Sequence, residues 1–323
     1  MLPMLDVFFS VDVEVWCDGW DDLDEKFPDA FRRYVYGPTA RGDFGLPYTL
    51  KVLGEHGFTA VFFVEPLFST RFGSQPLQEI VGLLRDGKQE IQLHLHPEWV
   101  DESIVPLLEN VSGKRQHLRY YSLSEQESLI AAGKRLITEA GGGECRAFRA
   151  GSFGFNRDTL VALAANQIQF DSSYNASMFG IDSGVAPGEV MVDAFQCEGV
   201  IEYPMTVYDD GTGSLRHTQL TACSHREMEG LLWQALESGR HSFMILSHNF
   251  ELLNLAQDRP DDVVVSRFRQ LCRFLDRNRD SFNMRGFEGL SPTLAARQPR
   301  PLKSPIWRTA FRMLEQAGRK RFR

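Results

Sequence analysis

The run EIQLHLHP, residues 90–97, begins as an apolar segment and ends in two histidines and a proline. Side chains two positions apart on a β-strand point to the same face, so His94 and His96 can direct two imidazoles at one ion. Pro97 cannot donate to a strand ladder, and we expect the strand to end there. Because imidazole is a common ligand of zinc and related divalent ions, this run predicts a strand that delivers two metal ligands.

Two other apolar runs also finish in titratable groups. The run 7–13 leads into Asp12 and Glu14, whose carboxylates share one strand face, and the run 243–246 leads to His248. A short motif of this kind, taken singly, is more often a polar strand end than a metal site. Its recurrence at three separate strand ends favours a shared site with three protein ligands and an open position for water.

The chain alternates strand and helix patterns, which is typical of an α/β protein with a mostly parallel sheet. The predicted strands cover residues 7–13, 58–64, 90–96, 147–150, 168–171, 243–248 and 281–284. The predicted helices are a segment ending at Gly57, then 76–87, a helix from a capping box at Ser124 and Glu127 to 141–143, and then 156–166, 224–238 and 261–278. With 323 residues and no internal repeat, one barrel-like domain over residues 1–290 and a tail over 291–323 are expected. In such barrels the chemistry lies at the carboxyl ends of the strands.

Charge is divided unevenly along the chain. The net charge is −8, yet the segment after Leu290 carries nine Lys or Arg residues and one acid, Glu315, which leaves −16 for the rest. An acidic body argues against nucleic acid as a partner, because phosphate binding needs a basic surface. The C-terminal segment 305–323 combines basic residues with apolar residues at helical spacing. This tail predicts either peripheral contact with an anionic membrane or, as the more common case for a short helix, packing on the barrel or extension into solvent.

The cysteines and the N-terminus bear on the compartment. Five cysteines without a C-x-x-C pair predict neither a disulfide framework nor a cysteine metal cluster, and they fit a reducing compartment. The N-terminus lacks the basic segment and cleavage site of a secretion signal, and no apolar run approaches the roughly 20 residues of a spanning helix. We therefore expect a cytoplasmic protein, with any membrane contact peripheral, at the inner face and through the basic tail.

The order of these motifs resembles that of the polysaccharide deacetylases of the NodB-homology type, carbohydrate esterase family 4, over residues 5–290. The run SVDVE, residues 10–14, is similar to the first family motif, and the resemblance implies that Asp12 is the catalytic base and Glu14 a metal ligand. The run 94–97 resembles the second motif, which supplies two histidine ligands, but its histidines are closer by two residues. The family implies a distorted (β/α) barrel of mostly parallel strands and a divalent metal, most often Zn²⁺.

Three further stretches carry the same resemblance. The run 148–153, FRAGSF, is similar to the third motif and implies that Arg149 orients the base, although Gly151 stands where the family has proline. Leu246 and His248 resemble the last motif, which implies a catalytic role for His248. The run 57–64, GFTAVFFV, resembles the second strand of the family.

The chemistry of these residues predicts a hydrolase acting on non-peptide carbon–nitrogen bonds. A metal lowers the pKa of water from about 15.7 toward about 7, Asp12 takes a proton as water attacks, and His248 gives one to the departing nitrogen. A backbone N–H near Phe153 would help to stabilise the oxyanion. The insertion 16–45, interpreted as a substrate lid or equally as a solvated loop, predicts substrate contacts from Trp16 and Trp20.

Phe153 and Asp171 complete the predicted substrate residues. Asp171 is equally explained as a partner of His248 or as a turn residue, and Glu202 and His217 carry no assignment. Three functions are consistent with the sequence. The first is a deacetylase of N-acetyl or O-acetyl sugars in a glycan or glycan precursor, the second a hydrolase of small amides or cyclic ureides, and the third a non-catalytic metal or glycan binding protein.

Overall fold

The histidine run lies within a curled, mostly parallel sheet. A computed structural model describes residues 4–111 and 113–321. The strands are β1 (Leu5–Val13), β2 (Pro38–Thr39), β3 (Gly42–Asp43), β4 (Val61–Val64), β5 (Glu90–Leu95), β6 (Ala147–Ala150), β7 (Phe170–Asp171), β8 (Phe195–Cys197), β9 (Val200–Glu202), β10 (Val207–Asp209), β11 (Leu215–His217), β12 (Ser242–His248), β13 (Phe282–Met284) and β14 (Leu302–Lys303). The α-helices are α1 (Leu23–Phe31), α2 (Leu46–Glu55), α3 (Ser69–Phe72), α4 (Ser74–Asp86), α5 (Leu123–Glu139), α6 (Arg157–Ala165), α7 (His225–Glu237), α8 (Asp262–Arg277) and α9 (Ile306–Arg321).

The main sheet follows the order β12-β1-β4-β5-β6-β7-β9-β8, and β13 pairs with the N-terminal part of β1. Every pair in it is parallel except β8 with β9. Helices α4, α5 and α6 each connect two neighbouring parallel strands of this sheet. The predicted distorted (β/α) barrel with mostly parallel strands is therefore confirmed.

Alternation along the strands separates two layers of the core. Val7 and Phe9 of β1 pack in a large cluster with the helices, whereas Phe8 packs in a second cluster with inward residues of the other strands, such as Phe63 and Met244. A strand directs every second side chain to the same face. The even-numbered residues at the end of β1 therefore face the interior of the curl, and this parity positions the site described below.

Polar side chains cap the helices close to the predicted boundaries. Asn156, Ser224 and Asp261 accept hydrogen bonds from the first turns of α6, α7 and α8. The prediction was wrong for α5, whose capping box is formed by Ser122 and Glu125 rather than by the pair two residues later. Both pairs have the same spacing in the sequence, and the earlier one satisfies the free amides of the helix start.

The insertion between β1 and α2 is more ordered than a solvated loop. It contains helix α1 and the hairpin of β2 and β3. Phe27 of α1 is buried, and its ring stacks on Phe72 with centroids 3.6 Å apart. The insertion therefore packs on the body through an apolar helix face, which supplies the free energy that a polar loop lacks.

Residues after 290 contact the barrel at several points. Gln298 accepts hydrogen bonds from the backbone amides of Val192 and Asp193, and β14 pairs with β10. The predicted C-terminal helix is present as α9. Among the described residues, no helix is both long enough and apolar enough to cross a bilayer. The boundary of the barrel near residue 290 stays a prediction.

Candidate metal centre

The predicted site residues meet at the carboxyl ends of β1, β5, β6 and β12. The register of β1 and β12 places Asp12 beside His248, and the register of β5 and β6 places His94 beside Arg149. The carboxyl ends of parallel strands share one edge of a sheet, so segments far apart in the sequence converge there. Each of these four side chains occupies a strand position that faces the interior of the curled sheet.

Glu14, His94 and His96 form a compact group of candidate ligands. Nε2 of His94 lies 3.1 Å from Oε1 of Glu14, and Nε2 of His96 lies 2.9 Å from the same oxygen. All three residues are buried, and their donor atoms lie within 4.8 Å of one another. The short His-x-His spacing is compatible with this convergence because positions two apart on a strand face the same way.

The outer ring nitrogens show that the donor set fits a cation. Nδ1 of His94 donates to the carbonyl oxygen of Arg149 at 2.7 Å, and Nδ1 of His96 lies 3.3 Å from Oε2 of Glu98. A carbonyl and a carboxylate accept protons, so in a neutral imidazole Nδ1 carries the proton and Nε2 presents a lone pair. Two lone pairs directed at one carboxylate oxygen require a positive charge between them. Two imidazoles and a carboxylate, each held by an outer hydrogen bond, match the ligand preference of zinc.

Electrostatics at the ligands favour the same positive charge. Burial opposes ionisation of Glu14, but the adjacent His96 and the hydrogen bonds from both histidines outweigh it and hold the pKa of Glu14 well below its usual range. Burial also opposes a charged His96, yet the carboxylates of Glu14 and Glu98 raise the pKa of His96 well above its usual range. A proton or a metal ion between these groups is therefore stabilised.

Two neighbours fix the orientation of Glu14. Nε1 of Trp16 donates to Oε2 of Glu14 at 2.7 Å, which leaves Oε1 directed at the histidines. The side chain of Asn249 clamps the backbone of Glu14, accepting from its amide at 3.0 Å and donating to its carbonyl at 3.1 Å. Trp16, predicted as a substrate contact, thus supports a ligand. Asn249 was missed because no motif marks it beyond its position after His248.

Asp12 is held by a buried arginine. Nη1 of Arg149 donates to Oδ1 of Asp12 at 2.7 Å and lies 2.9 Å from Oγ of Ser10. The far side of the guanidinium donates to the carbonyl and the hydroxyl of Ser172, each at 3.1 Å. Oδ2 of Asp12 lies 3.9 Å from Nε2 of His94, so the carboxylate points toward the candidate ligands. The structure shows the contact between Arg149 and Asp12, and the role of Arg149 in orienting a catalytic base stays a prediction.

A glutamate that the sequence did not single out holds His248. Nδ1 of His248 lies 2.8 Å from Oε1 of Glu251, which also accepts from the side chain of Gln219. His217 extends this network, with its Nε2 lying 3.2 Å from Oε1 of Gln219. Burial lowers the pKa of His248, but Glu251 and the nearby acids Glu14 and Asp12 outweigh that effect and raise it to about 9. A pKa of about 9 favours the protonated form of His248 at neutral pH.

Asp171 lies outside this group. It is fully buried, its Oδ1 accepts from the hydroxyl of Ser173 at 2.6 Å, and the register of β7 and β9 sets it beside Glu202. Burial, followed by the adjacent Asp171, raises the pKa of Glu202 well above its usual range. The structure thus places two adjacent buried carboxyl groups in the sheet, and the partner of His248 is Glu251 rather than Asp171.

The remaining predicted substrate residues do not share one cavity. Trp16 and Trp20 line a cavity of about 380 Å³ together with Cys17, Asp18, Gly19, Glu98, Trp99, Lys114 and Gln116. Phe153 is not among the residues that line this cavity, and its ring centre lies 6.0 Å from the guanidinium of Arg149. Ser152 and Phe153 both have positive φ angles, 53° and 55°, so the chain turns sharply as β6 ends.

Comparison with solved structures shows the fold of this chain. A Mycobacterium smegmatis protein, provisionally assigned as a polysaccharide deacetylase, matches with a TM-score of 0.56 and 17% sequence identity over 93% of this chain and 96% of that one. At this identity the match shows the fold alone. The resemblance to polysaccharide deacetylases that the motifs indicate is confirmed at that level.

Two more distant matches have TM-scores that are too low to carry an argument. They are a family 4 carbohydrate esterase from Streptomyces lividans in complex with acetate (TM-score 0.41, 11% identity, 87% of this chain and 91% of that one) and a family 4 pseudoenzyme from Bacillus anthracis (TM-score 0.43, 11% identity, 86% and 63%). No protein-family model matches the sequence, and no curated protein matches it.

Proposed function

We propose that this chain is a metal-dependent hydrolase that removes acetyl groups from N-acetyl or O-acetyl sugars of a glycan or glycan precursor. The observation that carries the proposal is the convergence of Glu14, His94 and His96 beside an Arg149-held Asp12 and an exposed edge of His248. Metal-dependent hydrolysis of an amide or ester requires metal ligands, a general base and a general acid close to one another.

A divalent ion held by Glu14, His94 and His96, most simply Zn²⁺, would supply Lewis acidity that activates water and polarises the acetyl carbonyl. Asp12 accepts the proton of the attacking water through Oδ2, because Oδ1 is already occupied by Arg149. Arg149 stays buried, and its two contacts to Ser172 prevent it from following Asp12 as the proton moves. The base therefore keeps its position during the reaction.

His248 completes the reaction by protonating the departing nitrogen or oxygen. Its Nδ1 is engaged by Glu251, so the proton is delivered from Nε2. The side chain of His248 is 21% exposed, whereas those of His94 and His96 are almost fully buried. Access to substrate therefore distinguishes the proton donor from the candidate ligands.

The cavity beside the centre supports a sugar substrate. Trp16 and Trp20 contribute aromatic surface, and Trp16 also bonds to Glu14, so this wall of the cavity adjoins the ligands. Aromatic rings pack against the apolar faces of sugar rings, while the nearby Asp18 and Glu98 offer acceptors for hydroxyl groups. We propose this cavity as the place where the acetylated sugar binds.

The test is acetate release from N-acetylated and O-acetylated sugars by purified protein with added Zn²⁺, run beside assays of small amides and cyclic ureides. We expect acetate release by wild type and loss of it in Asp12→Asn, which retains the shape of the side chain but not the base. Asp29→Asn, on the exposed side of α1, is the matched control and should keep full activity.

Each other outcome contradicts the proposal in a defined way. Turnover of ureides without acetate release would favour the small-amide hydrolase. Metal and glycan binding without any turnover, unchanged in Asp12→Asn, would favour a non-catalytic binding protein. Full activity in Asp12→Asn would remove Asp12 as the base.

A further inference from the structure

The C-terminal helix α9 contacts the body through its polar side. Arg312 is 1% exposed, and its guanidinium donates to Glu227 at 2.7 Å, to Asp210 at 3.2 Å and to the hydroxyl of Tyr208 at 3.1 Å. Oγ1 of Thr309 donates to the carbonyl oxygen of Asp210 at 2.6 Å. These contacts, rather than apolar packing, fix the helix in place.

Two further contacts lie on the same side of the helix. Glu315 accepts from Arg267 of α8 at 2.5 Å, and Arg308 lies in space that only a glycine leaves open. A Cβ on Gly230 of α7 would collide with the guanidinium of Arg308. Position 312 lies four residues after 308 and three after 309, and position 315 lies three after 312, so the four positions share one face of a helix with 3.6 residues per turn.

The opposite face is apolar and exposed. Ile306 is 64% exposed, Trp307 56%, Phe311 44% and Met313 58%. In the sequence, Leu314 and Ala317 continue the spacing of this stripe. An amphipathic helix normally buries its apolar face in its own protein, and α9 does the reverse, because buried ion pairs hold its polar face.

We propose that this apolar face of α9 docks the protein on an anionic lipid surface, with the helix lying in the plane of the interface. Four of the five residues from 319 to 323 are Arg or Lys, and they follow the apolar stripe directly. Basic residues beside an exposed Trp and Phe are the combination that binds anionic bilayers. The body carries −16, so attraction to such a surface comes from the tail and orients the protein.

The same charges disfavour a second copy of the chain as the occupant. A second copy of α9 could cover the apolar face, but its single acid, Glu315, is already paired with Arg267, so it would offer the arginine-rich C-terminal end no free anion. An anionic lipid surface accommodates the apolar stripe and also attracts the cations. An anionic lipid surface therefore provides a partner for both the apolar stripe and the basic C-terminal end, whereas self-association provides one only for the stripe.

The test measures co-sedimentation of the full chain with vesicles of phosphatidylcholine alone and of phosphatidylcholine with an equal part of phosphatidylglycerol. We expect binding to the anionic vesicles only, weakened by salt. The double variant Trp307→Ser, Phe311→Ser should bind the anionic vesicles at least about tenfold more weakly than wild type, because two exposed apolar side chains are lost. Arg319→Glu with Arg321→Glu should lose binding without altering the apolar face.

A matched control removes two exposed apolar residues from the body. Ile104 and Val105 are 71% and 72% exposed, and Ile104→Ser with Val105→Ser should bind vesicles as wild type does. Acetate release from a soluble sugar should be unchanged in all these variants, so the result is independent of the proposed activity. Equal binding by wild type and the α9 variants, absence of vesicle binding, or a dimer in light scattering that depends on Trp307 would each overturn the proposal.

Discussion

The two halves of the candidate centre are built in different ways. The ligand half consists of Glu14, His94 and His96: strand parity turns the two histidines to one face, and Trp16 and Asn249 hold Glu14 against them. The acid–base half consists of Asp12 and His248, whose orientation depends on Arg149 and Glu251 from other segments. The pairing of the two histidines is therefore set by the backbone, while the orientation of Asp12 and His248 is set by side-chain partners that substitutions can remove one at a time.

The largest effect should follow from removing the ligand half. In the double variant His94→Ala, His96→Ala, two of three donors are lost, so we expect bound metal to fall to background and acetate release with it. Metal analysis of the purified protein and the acetate assay measure both. His225→Ala, which removes a surface histidine paired with Glu229, is the control. Retention of the metal by the double variant would show that the ligands lie elsewhere.

Removing His248, the proposed proton donor, should lower the rate less than removing the two histidine ligands does, and it should leave the metal content unchanged. For His248→Ala we expect a rate loss of about 10²- to 10⁴-fold, the usual contribution of a general acid, with metal content as in wild type. The strand around it should remain intact because Asp12 and Glu14 keep their own partners. If metal is lost as well, His248 belongs to the ligand half, and the division between the halves fails.

The ligand half could be predicted from the sequence for a physical reason. Apolar runs with titratable ends mark strands, and the two-residue period of a strand then decides which side chains share a face. His94 and His96 needed no further information to be paired. Their convergence with Glu14 depends on the strand order β1-β4-β5, which no local pattern encodes, and it was expected only from the recurrence of titratable strand ends and from the family resemblance.

The partners of the acid–base half could not all be predicted. Arg149 was found through its motif, but Glu251 lies three residues after His248 in a turn, where no periodicity relates side chains to a common face. The sequence offered Asp171 for this role only as one alternative beside a turn, and the register places Asp171 next to Glu202 instead. The ordered insertion and the outward apolar face of α9 depend on long-range packing and ion pairs, which local patterns do not encode.

Glu251 gives a finer test of the acid–base half. Glu251→Gln keeps an acceptor near His248 but removes the charge, and we expect kcat to fall about 10- to 100-fold with little change in KM. Glu251→Asp should restore part of the loss, because a carboxylate returns at a longer distance. The control is Glu229→Gln, which alters a surface His–Glu pair of similar geometry. A change in KM alone would mean that Glu251 shapes substrate binding instead of positioning the acid.

The smallest effect on activity should come from Glu202, which lies in neither half. Because its pKa is raised above the usual 4.5, the folded state binds more protons than the unfolded state, so its contribution is complete below about pH 4.5 and is lost as pH rises. Glu202→Gln keeps an acceptor for the amide of Tyr174 and cannot ionise. The free energy of unfolding of this variant should therefore rise relative to that of wild type as pH increases. Denaturant unfolding of both proteins between acidic and alkaline pH measures this difference, with the exposed Glu189→Gln as control. A constant difference across pH would mean that Glu202 has the same pKa in the folded and unfolded states, so that groups favouring its ionised form, such as Arg149, balance burial and Asp171.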